Sequence, residues 1–240
     1  MNATELKALG ARLSTALHLA AEPIGIGFAD QPHAGVAPFG APLAAPAEDG
    51  RTGAVPAGCV FWMKATVSSF FTTPADHGNC SVGSMTHGMA SLEEAAGHSD
   101  VAELLGSGWV TAEDAQKIPV VSQRPGAISY GPLSQAAFLP DVILIRVNGR
   151  QMMVISDAVG DLDIQGKPQC HIVALAKEYG KVAASTGCAL SRARTGMQPS
   201  EMTCAIPSAR LEQTVNAIET TSAIDAEVAK YAASDARRFA

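Results

Sequence analysis

The densest chemistry in the chain lies in one short stretch, His77-Gly-Asn-Cys80-Ser-Val-Gly83-Ser-Met-Thr-His87-Gly88. A thiol stands three residues after one imidazole and seven before another. Both separations are close to whole turns of an α-helix, so a helical segment would present all three side chains on one face. Gly83 and Gly88 interrupt the same run, and each glycine costs a helix about 1 kcal/mol relative to alanine. Glycines kept there predict a close approach to the backbone, by another helix or by a bound group. His77 and His87 are either ligands or acid–base groups flanking Cys80, or structural groups that cap helix ends and bond to carbonyls.

Three further cysteines have similar company: Gly58 precedes Cys59, Gly187 precedes Cys188, and Cys170 opens a predicted helix. An adjacent glycine lets backbone N–H groups point at a thiolate, and a helix N-terminus favours one. Both suit sulfur ligands of a soft metal or an iron–sulfur cluster. The spacings between Cys59, Cys80, Cys170 and Cys188 are 21, 90 and 18 residues. They match no compact Cys-x-x-Cys zinc module, so only folding can assemble the four. Each one alone also reads as a small buried hydrophobe, and Cys204, beside Ala205 and Ile206, reads that way outright. Arg192 and Arg194 follow Cys188 closely and would clamp an anionic substrate or form surface ion pairs. Lys64 has the same two readings. His171 reads as structural, and His18, His33 and His98 as surface residues.

Composition narrows the classes. The chain has 240 residues, 47% hydrophobic and 17% charged, with a net charge of −6. That is enough for a globular domain with a real core. Without a basic stripe or aromatic–basic interleaving, nucleic acid is not the expected partner. No apolar run approaches the roughly 18 residues that a membrane span requires. The first residues do not read as a secretory signal, so a reducing, cytoplasmic location is expected, with the five cysteines as thiols or ligands.

Leu6, Leu9, Leu13 and Leu17 recur at helical spacing after Thr4-Glu5, and Ile24–Phe28 alternates as a strand. Residues 29–57 carry five prolines and predict a long mobile loop. Gly58–Ala65 reads as a helix, Ser69–Thr72 as a strand, and Ser91-Leu-Glu-Glu94 as a capping box. Short helices are expected over 100–105 and 111–118, and a strand over 127–130. Pro140–Val147 is β-branched and apolar on both faces, as in the middle of a sheet. Helices over 151–159 and 170–180 follow, then strands over 181–188 and 201–207. Ser208 is read as the cap of the next helix. The pattern predicts a single α/β (mixed α+β) domain, 1–222, with a central mixed sheet flanked by helices, and a helical tail, 223–240.

The order of these features resembles the domain-of-unknown-function family 169, the archaeal conserved region family. It rests chiefly on residues 76–88, 140–147, 187–196 and 201–215. By that resemblance the family positions fall on Cys59, Cys80, Cys170, Cys188 and Arg192 or Arg194. Where the family often has Cys-Pro-Gly-Gly, this chain reads Cys80-Ser-Val-Gly83. Where it often has Pro-Gly-Asn or Pro-Gly-Asp before the arginine, this chain reads Ala189-Leu-Ser191-Arg192. The expectation is a cysteine-ligated iron–sulfur protein, 4Fe-4S in type. It would be an enzyme binding a small anionic substrate at an open iron for a lyase, hydrolytic or desulfurising step, with His77 or His87 moving protons. The alternatives are a non-catalytic redox protein, a metal-free enzyme with Cys80 as nucleophile, and a binding domain with structural thiols. A homodimer is expected to be compatible with the apolar composition.

Overall fold

The computed structural model describes residues 1–40, 58–98, 100–195 and 197–238. Among them, ten α-helices surround one seven-stranded mixed sheet, a single α/β domain as the alternation of elements predicts. The loop expected over 29–57 lies in part outside the described residues.

Helix α1 (Ala3–Leu17) starts on a capping box in which Asn2 accepts from the Glu5 N–H and the Glu5 carboxylate accepts from the Asn2 N–H. The start therefore falls just before Thr4, because asparagine at the cap satisfies two orphan donors at once. Next come β1 (Ile24–Ala29), α2 (Gly58–Lys64), β2 (Phe70–Thr72), α3 (Ser81–Thr86), α4 (Leu92–Ala96), α5 (Val101–Gly106) and α6 (Ala112–Ala115). The second half runs β3 (Ala127–Pro132), β4 (Val142–Val147), α7 (Gly149–Ala158), β5 (Asp163–Gln165), α8 (His171–Tyr179), β6 (Ala183–Ser185), α9 (Ala189–Thr195), β7 (Met202–Pro207) and α10 (Leu211–Ala236).

Two local expectations are corrected, and two short elements are added. The His77–His87 stretch is not one helix: a 3-10 turn over Pro74–His77 ends before Cys80, which is the N-cap of α3, and His87 is its C-cap. Gly88, at φ +71°, then turns the chain away, a conformation that side chains with a Cβ rarely adopt. Strand β5 and helix α9 do not stand out in the sequence, because each is short and without clear periodicity. Ser208 does not cap α10; it begins a 3-10 turn, and its hydroxyl donates to the Pro140 carbonyl. Helix α10 runs unbroken through residue 223 to Ala236.

The strand order is β2-β3-β1-β4-β7-β6-β5, antiparallel throughout except for the β5–β6 pair. Because side chains alternate across a strand, β4 feeds two cores: Val142 and Leu144 on one face, Ile143, Ile145 and Val147 on the other. The second face is closed by α1, α7 and α10, through Leu6, Leu13, Ile155, Val215 and Ile218. The first is closed by α2 and α8 through Phe61, Trp62, Ile172 and Val173, with α3 and α9 packed beside them. This first face carries the candidate site.

Candidate functional site

Four elements each deliver one buried cysteine to the first face. Cys59 comes from the first turn of α2, Cys80 from the cap of α3, Cys170 from the cap of α8, and Cys188 from the turn before α9. All four are unpaired thiols. They stand close enough to feel one another's charge. Burial raises the Cys170 thiol well above its ordinary pKa, and negative charge on Cys80, Cys59 or Cys188 would raise it further. Burial likewise pushes Cys59 up to about 12, with Cys80 adding to the rise.

Polar groups are arranged to lower the cost of charge here. Gln169 Nε2 donates to Ser191 Oγ at 2.6 Å, and the Ser191 hydroxyl in turn bonds the Cys59 thiol. Burial raises Cys80 as well, but the Arg194 charge and hydrogen bond and the Gly83 N–H oppose it. Arg194 also keeps one buried nitrogen, Nη1, without a partner. The Ser81 N–H donates to both carboxylate oxygens of Asp100, at 3.3 and 3.2 Å, next to Cys80.

The two arginines expected to act alike have different surroundings. Arg192 is spent on the main chain: its guanidinium donates to the carbonyls of Thr186, Gln198 and Glu201. It lies over Gly187, whose φ of +120° and missing Cβ make room for it. It therefore holds the loop that carries Cys188 and α9. Arg194 faces the thiols.

His77 and His87 are both fully buried, with ring centroids 6.1 Å apart. His77 Nε2 is 2.9 Å from Thr72 Oγ1 and its Nδ1 has no partner. His87 Nδ1 is 2.7 Å from the Gly83 carbonyl, and its Nε2 has no partner. Burial drives His77 down to about 3 and His87 to about 4, so both rings are neutral near pH 7. Phe61 and Trp62 pack against them at 4.9 and 5.9 Å between centroids.

Other titratable groups fall elsewhere. His171 is buried, which lowers its pKa, and the Asp163 charge on β5 opposes that shift. His33 bonds Ser129 at 2.8 Å and is only partly exposed, so it is not a free surface residue. Lys64 lies over the Phe39 ring. Cys204 sits in the opposite core, as expected of a small core residue. Sequence reasoning missed Ser191, Gln169, Asp100 and Trp62. Gln169 adjoins Cys170 and Trp62 lies three residues after Cys59, but nothing in the sequence pattern singles out Ser191 or Asp100.

Among the described residues, no three His, Cys, Asp or Glu side chains are already grouped as ligands of a single ion. A single zinc needs its sulfur donors about 2.3 Å from one point. A polynuclear centre is wider, so its thiols stand further apart. Four buried thiols, with N–H, hydroxyl and guanidinium donors beside them, fit the donor chemistry of such a soft centre. On the outer side of α3 lies an apolar cavity of about 220 Å³, lined by Ser81, Val82, Met85, Leu104, Val110 and Ile118 among others.

No helix of the described residues is long and apolar enough to cross a membrane. No curated protein and no solved structure matches the chain. The model of one family, DUF169 (uncharacterised ArCR), matches residues 12–217, which takes in the sheet, all four clustered thiols and both histidines, and the chain belongs to that family.

Proposed function

We propose that three or all four of Cys59, Cys80, Cys170 and Cys188 hold an iron–sulfur centre, 4Fe-4S in type, and that the protein is an enzyme acting on a small anionic substrate there, at an iron left open when three bind. The observation that carries this reading is the convergence of four buried thiols from four separate elements on one face of the sheet. Leaving four thiols at that spot without a ligand offers packing little that alanine or valine would not. Bound there, the cluster would supply Lewis-acid or redox chemistry. The chain's own part is to bind and to exclude water. Arg194, with its unpartnered Nη1, is the anion-binding group, and Arg192 positions the loop before it. The cavity beside α3 gives room for an apolar part of the substrate, which favours an enzyme over a pure electron carrier.

His77 and His87 are weak bases, because burial keeps their pKa values far below neutral pH. In this reading they serve as neutral hydrogen-bonding or ligating groups. The same facts weigh against a metal-free enzyme with Cys80 as nucleophile, since imidazoles of such low basicity are poor acceptors of the thiol proton. One observation favours that second reading, the Arg194 contact that stabilises a Cys80 thiolate. The five free cysteines suit a reducing, cytoplasmic location. The net charge of −6 suits a small molecule or redox protein as partner rather than nucleic acid. A homodimer belongs to the same reading, supported by the exposed Ile224, Val228 and Tyr231 on the outer part of α10; light scattering tests it.

The deciding measurement is the absorption spectrum, with iron and acid-labile sulfide, of protein purified without oxygen. Broad absorbance near roughly 400 nm with stoichiometric iron and sulfide supports the reading. Colourless, folded protein that takes up neither iron nor sulfide overturns it in favour of Cys80 as a nucleophile, which a single-site thiol alkylation then tests.

A further inference from the structure

His87 is oriented in a way its neighbours determine completely. The Gly83 carbonyl can only accept, so at 2.7 Å the His87 Nδ1 carries the proton and donates. Nε2 is left with a lone pair, and that atom is buried without any partner. An imidazole that donates from one nitrogen to a backbone carbonyl and offers the other is the arrangement metal-binding histidines adopt, because the carbonyl fixes both tautomer and ring angle.

The ring is also held against the cysteine segments. A Cβ on Gly58, the residue before Cys59, would lie 2.8 Å from His87 Cε1 and 3.5 Å from Nε2. A Cβ on Gly83 would lie 3.4 Å from Cys80 Sγ and 3.8 Å from the Gly58 nitrogen. The two glycines thus let the imidazole edge and the start of α2, and Cys80 and the α3 backbone, approach closely where a Cβ would intrude. His77 lacks this definition. Thr72 Oγ1 lies 2.9 Å from its Nε2 but also 3.4 Å from the Ile128 carbonyl, so either ring nitrogen can carry the proton.

We infer that His87 is a nitrogen ligand, through Nε2, of the same centre that the cysteines hold, making the donor set mixed thiolate and imidazole. The inference rests on the iron–sulfur reading above. Four thiols and one imidazole are five donors, one more than a four-iron cluster takes at one per iron, so the four-cysteine set above narrows: His87 takes an iron and at least one of the four thiols stands unbound beside the cluster.

The test uses full-length protein reconstituted without oxygen from ferrous iron and sulfide, reduced with dithionite and studied by pulsed electron paramagnetic resonance. Protein grown on ¹⁵N-histidine is compared with unlabelled protein. A strong nitrogen coupling that changes with the isotope, persists in His77→Ala/His171→Ala and disappears in His87→Ala is the expected result. The His77→Ala/His171→Ala comparison stands even if His87→Ala fails to fold. Bound iron and sulfide with no histidine coupling overturns the ligand while leaving a thiolate-only cluster standing. A coupling lost with His77 instead of His87 also overturns it. Protein that takes up no iron or sulfide overturns both this inference and the reading beneath it.

Discussion

The two faces of the sheet bury cysteine in opposite ways. Cys204 lies on the face closed by α1, α7 and α10, among Leu, Ile and Val side chains, and burial alone pushes its thiol up to about 12. Cys170 lies on the other face, where negative charge on any of three more thiols would add to the same effect. Burial by itself therefore says little about a thiol's role. What differs is the surroundings: the first face gathers unpartnered Trp62 Nε1, His77 Nδ1, His87 Nε2, Gln169 Oε1 and Arg194 Nη1 around its thiols. Buried polar atoms without partners are costly, and the proposed centre would offset that cost on the first face.

That contrast is open to breaking. The largest expected effect is on iron: replacing Cys59, Cys80, Cys170 or Cys188 singly by serine removes the reconstituted cluster in at least three of the four cases. Cys204→Ser keeps full iron and sulfide and only lowers stability, by about 1–3 kcal/mol for a hydroxyl in an apolar site. Equal iron loss from Cys204→Ser would erase the distinction between the faces.

Leu13→Ala, on the structural face, is expected to cost about 2–5 kcal/mol in chemical unfolding, since it opens a hole in a closed apolar core. Iron bound per folded molecule should not change.

Acid sharpens the comparison, because the buried imidazoles are on one face only. In the unfolded chain they take up protons below about pH 6.5, whereas the folded protein holds His87 down to about 4 and His77 to about 3. The unfolded state then binds more protons, so metal-free protein loses stability as pH falls from about 6.5 towards 4. His87 alone accounts for roughly 3 kcal/mol of that loss. Denaturation midpoints measured across this window should flatten in a folded His87→Gln variant. Thiols act at the other end: with Cys59 raised to about 12, metal-free protein loses stability as pH rises above about 9.

The smallest effect concerns one methyl group. Gly58→Ala presses on the His87 ring and should cost about 1–3 kcal/mol, with weaker iron retention against a chelator. Gly149→Ala, at the start of α7 with open space around it, should be neutral or stabilise by up to about 1 kcal/mol.

Much of the frame was legible in residue order alone. The leucines of α1 repeat every three or four positions, β4 is a continuous β-branched run, and Ser91 and Glu94 form the capping box their types imply. These are local matters of period and hydrogen-bonding capacity. The cysteines are different. Their types and glycine neighbours marked them as candidates, but spacings of 21, 90 and 18 residues contain no distance. The crossing of α2, α3, α8 and α9 over one face brings them together, as it parts Cys204 from them. The same holds for the arginines. Two positions apart in sequence, Arg192 and Arg194 look interchangeable, yet one is bound to three carbonyls while the other faces a thiol. Sequence determined which groups have chemistry to offer and which elements carry them. Tertiary structure alone decided which of them meet, because long-range contacts depend on how packed elements cross and not on the separation of residues along the chain.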